Sequence, residues 1–150
     1  EVTSKLDEMN NSRDYLYGRL LAVIELIETT ATSSDKITNA EKLWATYMQS
    51  PQKTYGILIK RIRPYLDRLK KNNKYYYYYD ALLSEVTNAI NELNLSSGQQ
   101  NSRLNEDFIF GYYAQKKQTY TKKMNQGEEN NHDEVWKKGW FYCNSTSCGR

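Results

Sequence analysis

Residues 51–71 carry the pattern that most constrains the fold of this 150-residue chain. Apolar residues recur at helical spacing along one side, and basic residues fill nearly the whole other side. Ser50 followed by Pro51 is typical of a helix start, and Pro64 falls on the basic side, where a kink leaves the apolar stripe intact. The apolar side contains Leu58, Ile59, Ile62, Tyr65, Leu66 and Leu69, and the basic side contains Lys53, Lys60, Arg61, Arg63, Arg68, Lys70 and Lys71.

Helical periodicity is also present in four other segments, at about residues 12–32, 38–49, 74–93 and 105–125. Thr38, followed three residues later by Glu41, predicts a capping box at the start of the second segment. Two prolines and seven glycines are too few for an all-β fold rich in turns. We therefore expect an all-α bundle of about five helices over residues 1–125. We also expect an irregular C-terminal tail, residues 126–150, that is either flexible or locally packed.

The first segment combines an apolar arc with charged residues. Asp14, Glu25 and Glu28 fall opposite the arc. Gly18 weakens a helix by roughly 1 kcal/mol relative to alanine, which suggests that another backbone approaches it closely. Arg19 lies at the edge of the arc, and a snorkelling side chain is favoured there over an interface contact. The arc itself contains Leu16, Leu20, Val23, Ile24 and Ile27.

Aromatic residues mark the last two helical segments. Tyr77 points away from the apolar arc of the fourth segment. Stacking on an unpaired base is one interpretation of Tyr77, but a partner-protein contact or a simple exposed tyrosine is favoured. That arc contains Tyr75, Tyr79, Leu82, Leu83, Val86, Ala89, Ile90 and Leu93. The arc of the fifth segment contains Phe108, Ile109, Tyr112, Tyr113, Tyr120 and Met124.

Positive charge is gathered into two short stretches, although the net charge is only +3. Residues 51–74 hold eight basic residues and one acidic residue, and residues 113–124 hold four basic residues and no acidic one. Such clustering indicates a polyanion-binding surface, and the alternative is a solvated helix face. The second stretch supplies secondary candidates for nucleic-acid binding, Lys116, Lys117, Lys122 and Lys123.

Several kinds of chemistry have little support in this sequence. His132 is the only histidine, and Cys143 and Cys148 are the only cysteines. Together they fall short of a four-ligand zinc site, and no serine or cysteine has a histidine in a nucleophile arrangement. We therefore expect no enzyme activity, no metal and no cofactor. A reducing cytoplasm is the default compartment, and no apolar run approaches the roughly 18 residues of a membrane span.

Four short motifs resemble a known family. They are Tyr17-Gly18-Arg19-Leu20 with the following Leu21-Ala22-Val23-Ile24-Glu25, then Thr38-Asn39-Ala40, Ser50-Pro51, and Phe110-Gly111-Tyr112-Tyr113. Their order and spacing over roughly residues 13–124 are similar to the C-terminal region of the large-subunit protein of type I-C CRISPR interference complexes (Cascade). That region is also made separately, by internal translation, as the small subunit. Residues 126–150 and the five-tyrosine run lie outside the pattern.

This resemblance implies a helical subunit without catalytic activity that lines the belly of the crRNA-bound complex. Its partners would be the large subunit, the backbone subunits, and the target and displaced DNA strands. There it would contact the DNA backbone and help to hold the R-loop open. The alternative is a structural docking module, such as the C-terminal domain of the large subunit, whose basic face contacts protein. If the small subunit is translated internally, Met9 is the natural start within this chain, and residues 1–8 are expected to be dispensable for folding.

Truncation after Gln126 is expected to leave the bundle folded, because no apolar stripe continues beyond Met124. Circular dichroism during thermal unfolding measures this directly. Unfolding of the truncated chain would place the tail in the core and make the predicted domain boundary wrong. Local packing of the tail is the alternative to full exposure, since it contains Trp136, Trp140, Phe141 and Tyr142.

Overall fold

The computed structural model describes the backbone of residues 6–138 and the side chains of residues 6–124. All regular structure in that part of the chain is helical, which confirms the all-α prediction. Two compact units are present, residues 1–116 and residues 117–150. The helices are α1 (Arg13–Thr32), α2 (Asn39–Lys42), α3 (Trp44–Gln49), α4 (Pro51–Lys71), α5 (Tyr76–Asn91), α6 (Ser97–Gln100) and α7 (Asp107–Lys138).

Helix α1 is the central element of the first unit and packs against α2, α4 and α5. It is buried on nearly every side, so the charged residues predicted opposite its apolar arc are enclosed as well. Arg19 is only 3% exposed, and the snorkelling interpretation is therefore wrong. Its guanidinium donates to Gln115 Oε1 at 2.8 Å and to Glu85 Oε2 at 2.9 Å. A helix in this position needs an internal partner for each charged group, because water does not reach it.

Helix α4 forms as its amphipathic pattern predicts, with the same bounds. Pro51 occupies the first turn, where its missing N–H costs no hydrogen bond. Pro64 is exposed on the outer side of α4. It has no backbone N–H, and water can reach the carbonyl group that this N–H would otherwise bond. Leu58, Ile62 and Leu69 are buried at 1% exposure or less, and they attach the helix to the core.

The connections between the helices depend on short local hydrogen bonds. The predicted capping box at α2 is confirmed: Thr38 Oγ1 accepts from the Glu41 amide, and Glu41 accepts from the Thr38 amide. Ser12 and Ser50 stand at N-cap positions, but neither side chain forms a capping hydrogen bond. The predicted second helix is divided at Leu43 into α2 and α3. A further capping box, at Ser96, begins the short helix α6 between the fourth and fifth predicted segments.

Helix α7 differs from its prediction in length and in exposure. It continues to Lys138, beyond the expected end near Asn125. Phe108 and Tyr112 are buried as predicted. The rest of the predicted arc is exposed to solvent: Ile109, Tyr113, Tyr120 and Met124. Within residues 6–138, no helix combines the length and apolar character that crossing a membrane requires.

Two glycines allow the backbones of α1 and α7 to touch. A Cβ atom built on Gly18 would lie 2.0 Å from the carbonyl oxygen of Phe108. One built on Gly111 would lie 2.1 Å from the carbonyl oxygen of Tyr15. Both distances are far below van der Waals contact, so only glycine fits at either position. The expectation that Gly18 admits a close backbone approach is confirmed.

Replacing Gly18 with alanine is expected to destabilise the fold severely, by more than about 4 kcal/mol. The atoms in the way belong to the α7 backbone and cannot move aside as a side chain could. Gly56→Ala is the matched control, because Gly56 also lies inside a helix but has open space around the added carbon. That change is expected to stabilise the protein by about 0.5 to 1 kcal/mol through helix propensity. Urea unfolding measures both variants, and equal stabilities would contradict the close-contact argument.

Candidate nucleic-acid interface

The outer face of α4 presents the main cluster of cations. Its apolar stripe is fixed against the core, and this orients the opposite side of the helix toward solvent. All seven basic residues predicted as the binding face are exposed: Lys53, Lys60, Arg61, Arg63, Arg68, Lys70 and Lys71. The structure therefore brings the predicted primary residues together on one surface, which we call the α4 basic face.

Three of these cations also contact neighbouring groups. Arg61 Nη1 donates to Asn39 Oδ1 at 3.1 Å, and Arg68 Nη1 donates to the carbonyl oxygen of Ala31 at 3.5 Å. Lys70 Nζ lies 5.5 Å from the centre of the Tyr76 ring. Arg61 and Arg68 thus help to hold α4 against the start of α2 and the end of α1, in addition to supplying charge.

Lys53, Lys60, Arg63 and Lys71 form no side-chain hydrogen bond or ion pair with any described residue. Asp67, the acidic residue of α4, lies four residues from both Arg63 and Lys71 but pairs with neither within 4 Å. Lys53, Lys60 and Lys71 fall close to one line along the helix, and this stripe is about 27 Å long. Such a row of unneutralised cations attracts polyanions at short range.

An open depression of about 480 Å³ lies along the N-terminal half of this face. Its lining contains the apolar side chain of Ile57 and the small Gly56 between three cations, Lys53, Lys60 and Arg61. A polyanion backbone resting there would meet positive charge on both sides and little steric obstruction.

Lys116 has an internal partner and does not belong to the α4 basic face. Its ammonium group lies 3.1 Å from Glu25 Oε1, and the Tyr112 hydroxyl also donates to that oxygen. Burial, followed by the hydrogen bond to Glu25, raises the pKa of Tyr112 well above its usual value. The phenol therefore keeps its proton and continues to donate at neutral pH. Lys116 and Tyr112 thus compensate the buried carboxylate of Glu25, so Lys116 has a structural role.

The other secondary candidates, Lys117, Lys122 and Lys123, lie on α7 in the second unit. Lys117 and Lys122 are exposed, and Lys123 is half-buried. The side chains of His132, Cys143 and Cys148 lie outside the described residues. Among the residues that are described, no group of three or more potential ligands is arranged to hold a metal ion.

Lys74 is a further exposed cation that is not among the residues predicted for the α4 basic face. It is exposed in the turn between α4 and α5, three residues after Lys71. Its charge was already evident in the basic stretch over residues 51–74. Because Lys74 lies between the end of α4 and the start of α5, helical spacing along α4 assigns it no face.

The family model of the CRISPR-associated protein (Cas_Csd1) matches residues 1–120. The chain belongs to this family. It is accordingly a CRISPR-associated component of the Cascade type, and the sequence-based resemblance to a type I-C Cascade protein is confirmed at that level. No curated protein matches the chain.

In this Cas_Csd1 family member, the motifs that carry the resemblance lie at contacts between helices and at helix starts. Gly18 and Gly111 form the contact between α1 and α7. Asn39 donates through both its amide and its side chain to Glu28 on α1, at 3.0 and 3.1 Å. Pro51 begins α4. The family pattern therefore specifies the scaffold that presents the α4 basic face.

Changing Lys116 to methionine is expected to lower the free energy of unfolding by about 1 to 2 kcal/mol, since Glu25 would be buried with less compensation. The estimate is below that for a fully buried pair because Lys116 is 36% exposed. Lys122→Met is the matched control on the same helix and is expected to change stability little. Guanidinium unfolding measures both. The double variant Glu25→Gln with Lys116→Met should recover part of the loss, and equal effects of the two single lysine variants would contradict the ion pair.

Proposed function

We propose that this chain is a non-catalytic small subunit of an RNA-guided CRISPR interference complex. The α4 basic face binds the DNA backbone without sequence preference and stabilises the R-loop. The partners in this proposal are the large subunit and backbone subunits of the crRNA-bound complex, together with the target and displaced DNA strands. Family membership supports a role in Cascade, and the surface of α4 supports the contact with DNA.

The observation that carries the proposal is the lack of neutralisation on α4. Each ion pair among the described side chains includes a residue of α1, and none includes a cation of α4. Unpaired cations in a row make the electrostatic potential at this surface positive. A positive surface attracts polyanions such as DNA. Binding to phosphates then releases condensed counterions, which supplies affinity that falls steeply with salt.

The composition of the face favours contact with the backbone over base readout. Lysines supply most of its charge, and a lysine ammonium acts on phosphate as a mobile point charge with no fixed donor pattern. Sequence-independent binding is what an R-loop requires, because the guide already reads the sequence through base pairing.

The second candidate function is a helical docking module whose basic face contacts an acidic protein surface. The exposed apolar side chains of α7 in the first unit favour it, namely Ile109, Phe110 and Tyr113. Exposed aromatic residues of this kind are typical of contacts between proteins. The two functions differ in what the α4 cations touch, so DNA binding by the isolated chain discriminates between them.

Neutralising the cationic stripe is expected to weaken DNA binding by orders of magnitude at moderate salt. The variant is K53Q/K60Q/K71Q in the full chain, and fluorescence anisotropy over a salt series measures the dissociation constant. Each phosphate contact contributes about 0.7 to 0.9 to the log–log salt slope, so the slope is expected to fall by roughly 2 to 3. All three lysines are exposed, and circular dichroism is expected to be unchanged.

The matched control is K36Q/K42Q/R103Q, which removes the same charge from exposed positions that are not part of α4. It is expected to retain most of the affinity and the parental salt slope. Equal effects of the two triple variants would assign the binding to net charge and exclude a specific face. Loss of subunit assembly by K53Q/K60Q/K71Q, with DNA affinity retained, would favour the docking module.

A further inference from the structure

The corner between α4 and α5 has an unusual backbone. Asn73 and Tyr75 both have left-handed conformations, with φ of 52° and 60°, although neither is glycine. A bulky aromatic residue rarely adopts this conformation, which costs of order 1 kcal/mol or more. At this corner the chain passes from the last turn of α4 into the first turn of α5. Lys70, Lys71 and Lys74 lie on or next to this corner.

The tyrosine run has a different role at each position. Tyr79 is fully buried, and its hydroxyl forms a 2.9 Å hydrogen bond with Thr30. Tyr75, Tyr76 and Tyr78 are half-buried against the core. Tyr77 is 72% exposed and contributes little to the core. Its exposure confirms that it points away from the apolar arc, and the fold alone gives no reason for an aromatic residue there.

Tyr77 is connected to the α4 basic face through Tyr76. The ring centres of Tyr76 and Tyr77 lie 5.1 Å apart at an interplanar angle of 77°. Lys70 Nζ lies 5.5 Å from the centre of the Tyr76 ring. The edge-to-face contact steadies the Tyr77 ring and leaves most of its surface open to solvent. A steadied, open ring beside a row of cations is the arrangement by which proteins hold single-stranded nucleic acid.

We propose that Tyr77 is a stacking site for an unpaired base of single-stranded DNA whose phosphates follow the cations of α4. This inference rests on the proposed function and adds the class of substrate to it. A duplex keeps its bases stacked inside and offers no free base to an exposed ring, whereas a single strand offers one at each nucleotide. Lys70, Lys71 and Lys74 supply the phosphate contacts that bring such a base within reach of Tyr77.

The test compares Tyr77→Ala with Tyr77→Phe in the full chain, and Tyr113→Ala serves as the matched control. Tyr113 is 57% exposed on α7 and pairs with Tyr112 in a similar edge-to-face contact. Fluorescence anisotropy measures binding to oligo-dT of about 15 nucleotides, to an abasic strand of the same length and to the matching duplex. Tyr77→Ala is expected to weaken oligo-dT binding about tenfold. Its affinities for the abasic strand and the duplex are expected to be unchanged.

Tyr77→Phe is expected to bind oligo-dT as the parent does, because stacking requires the ring and not the hydroxyl. The salt slope is expected to be the same for all three variants. Equal binding of oligo-dT by the parent and Tyr77→Ala would overturn the stacking site. An equal loss on oligo-dT and the abasic strand would also overturn it, as would a loss of subunit assembly with DNA binding intact, which would assign Tyr77 to a protein contact.

The two proposals fail in different ways. Absence of salt-dependent binding to every oligonucleotide would contradict the proposed function itself. Salt-dependent binding in which oligo-dT and the abasic strand are equivalent would contradict only the stacking site.

Discussion

The backbones of α1 and α7 meet at Gly18 and Gly111, and the packing of the first unit depends on that contact. A side chain at either glycine would separate the helices. Because they touch, α7 brings Phe108 and Tyr112 into the same aromatic cluster as Trp44 of α3, with ring centres 4.9 Å apart. Helix α1 is thereby enclosed by its neighbours, and its interior position has consequences for every charged group that it carries.

Because α1 is enclosed, its charged residues are in a different environment from the exposed cations of α4. The charged residues of α1 are satisfied internally: Glu28 by Asn39, Arg19 by Glu85 and Gln115, and Glu25 by Lys116 and Tyr112. Leaving any of them unpaired would be expensive in a site without water. The cations of α4 face solvent and carry no such requirement, so they are available to a partner. The charged residues of α1 therefore have a structural role, whereas the cations of α4 remain exposed at the surface.

The sequence predicted α4 and the capping box at Thr38 correctly because both depend on local spacing. It failed for Arg19 because a single apolar arc was assumed for α1. Tyr15, Leu21 and Leu26 lie off that arc, and apolar residues on all sides of a helix are typical of a buried one. That signal was present in the chain. The partners of Arg19 and Lys116 are different: Gln115 and Glu25 are about ninety residues from them along the sequence, and no local pattern pairs residues at that distance. The prediction for α7 was wrong in the opposite direction, because it overestimated burial. Its helical arc of aromatic residues was assigned to the core, although Tyr113 is exposed to solvent.

The motifs that carry the family resemblance lie at contacts between helices and at helix starts, whereas the cations of α4 lie outside these motifs. Gly18, Gly111 and Asn39 each hold two elements together, so a change at any of them disturbs the fold before it disturbs a surface. The side chains of Lys53, Lys60 and Lys71 form no hydrogen bond or ion pair within the described residues, so their charge is not needed for the packing of the core. Family membership and surface chemistry are thus independent sources of support for the proposed function. The separation also means that charge on α4 can be altered while the scaffold is retained, so a loss of DNA binding after such a change reports on the surface alone.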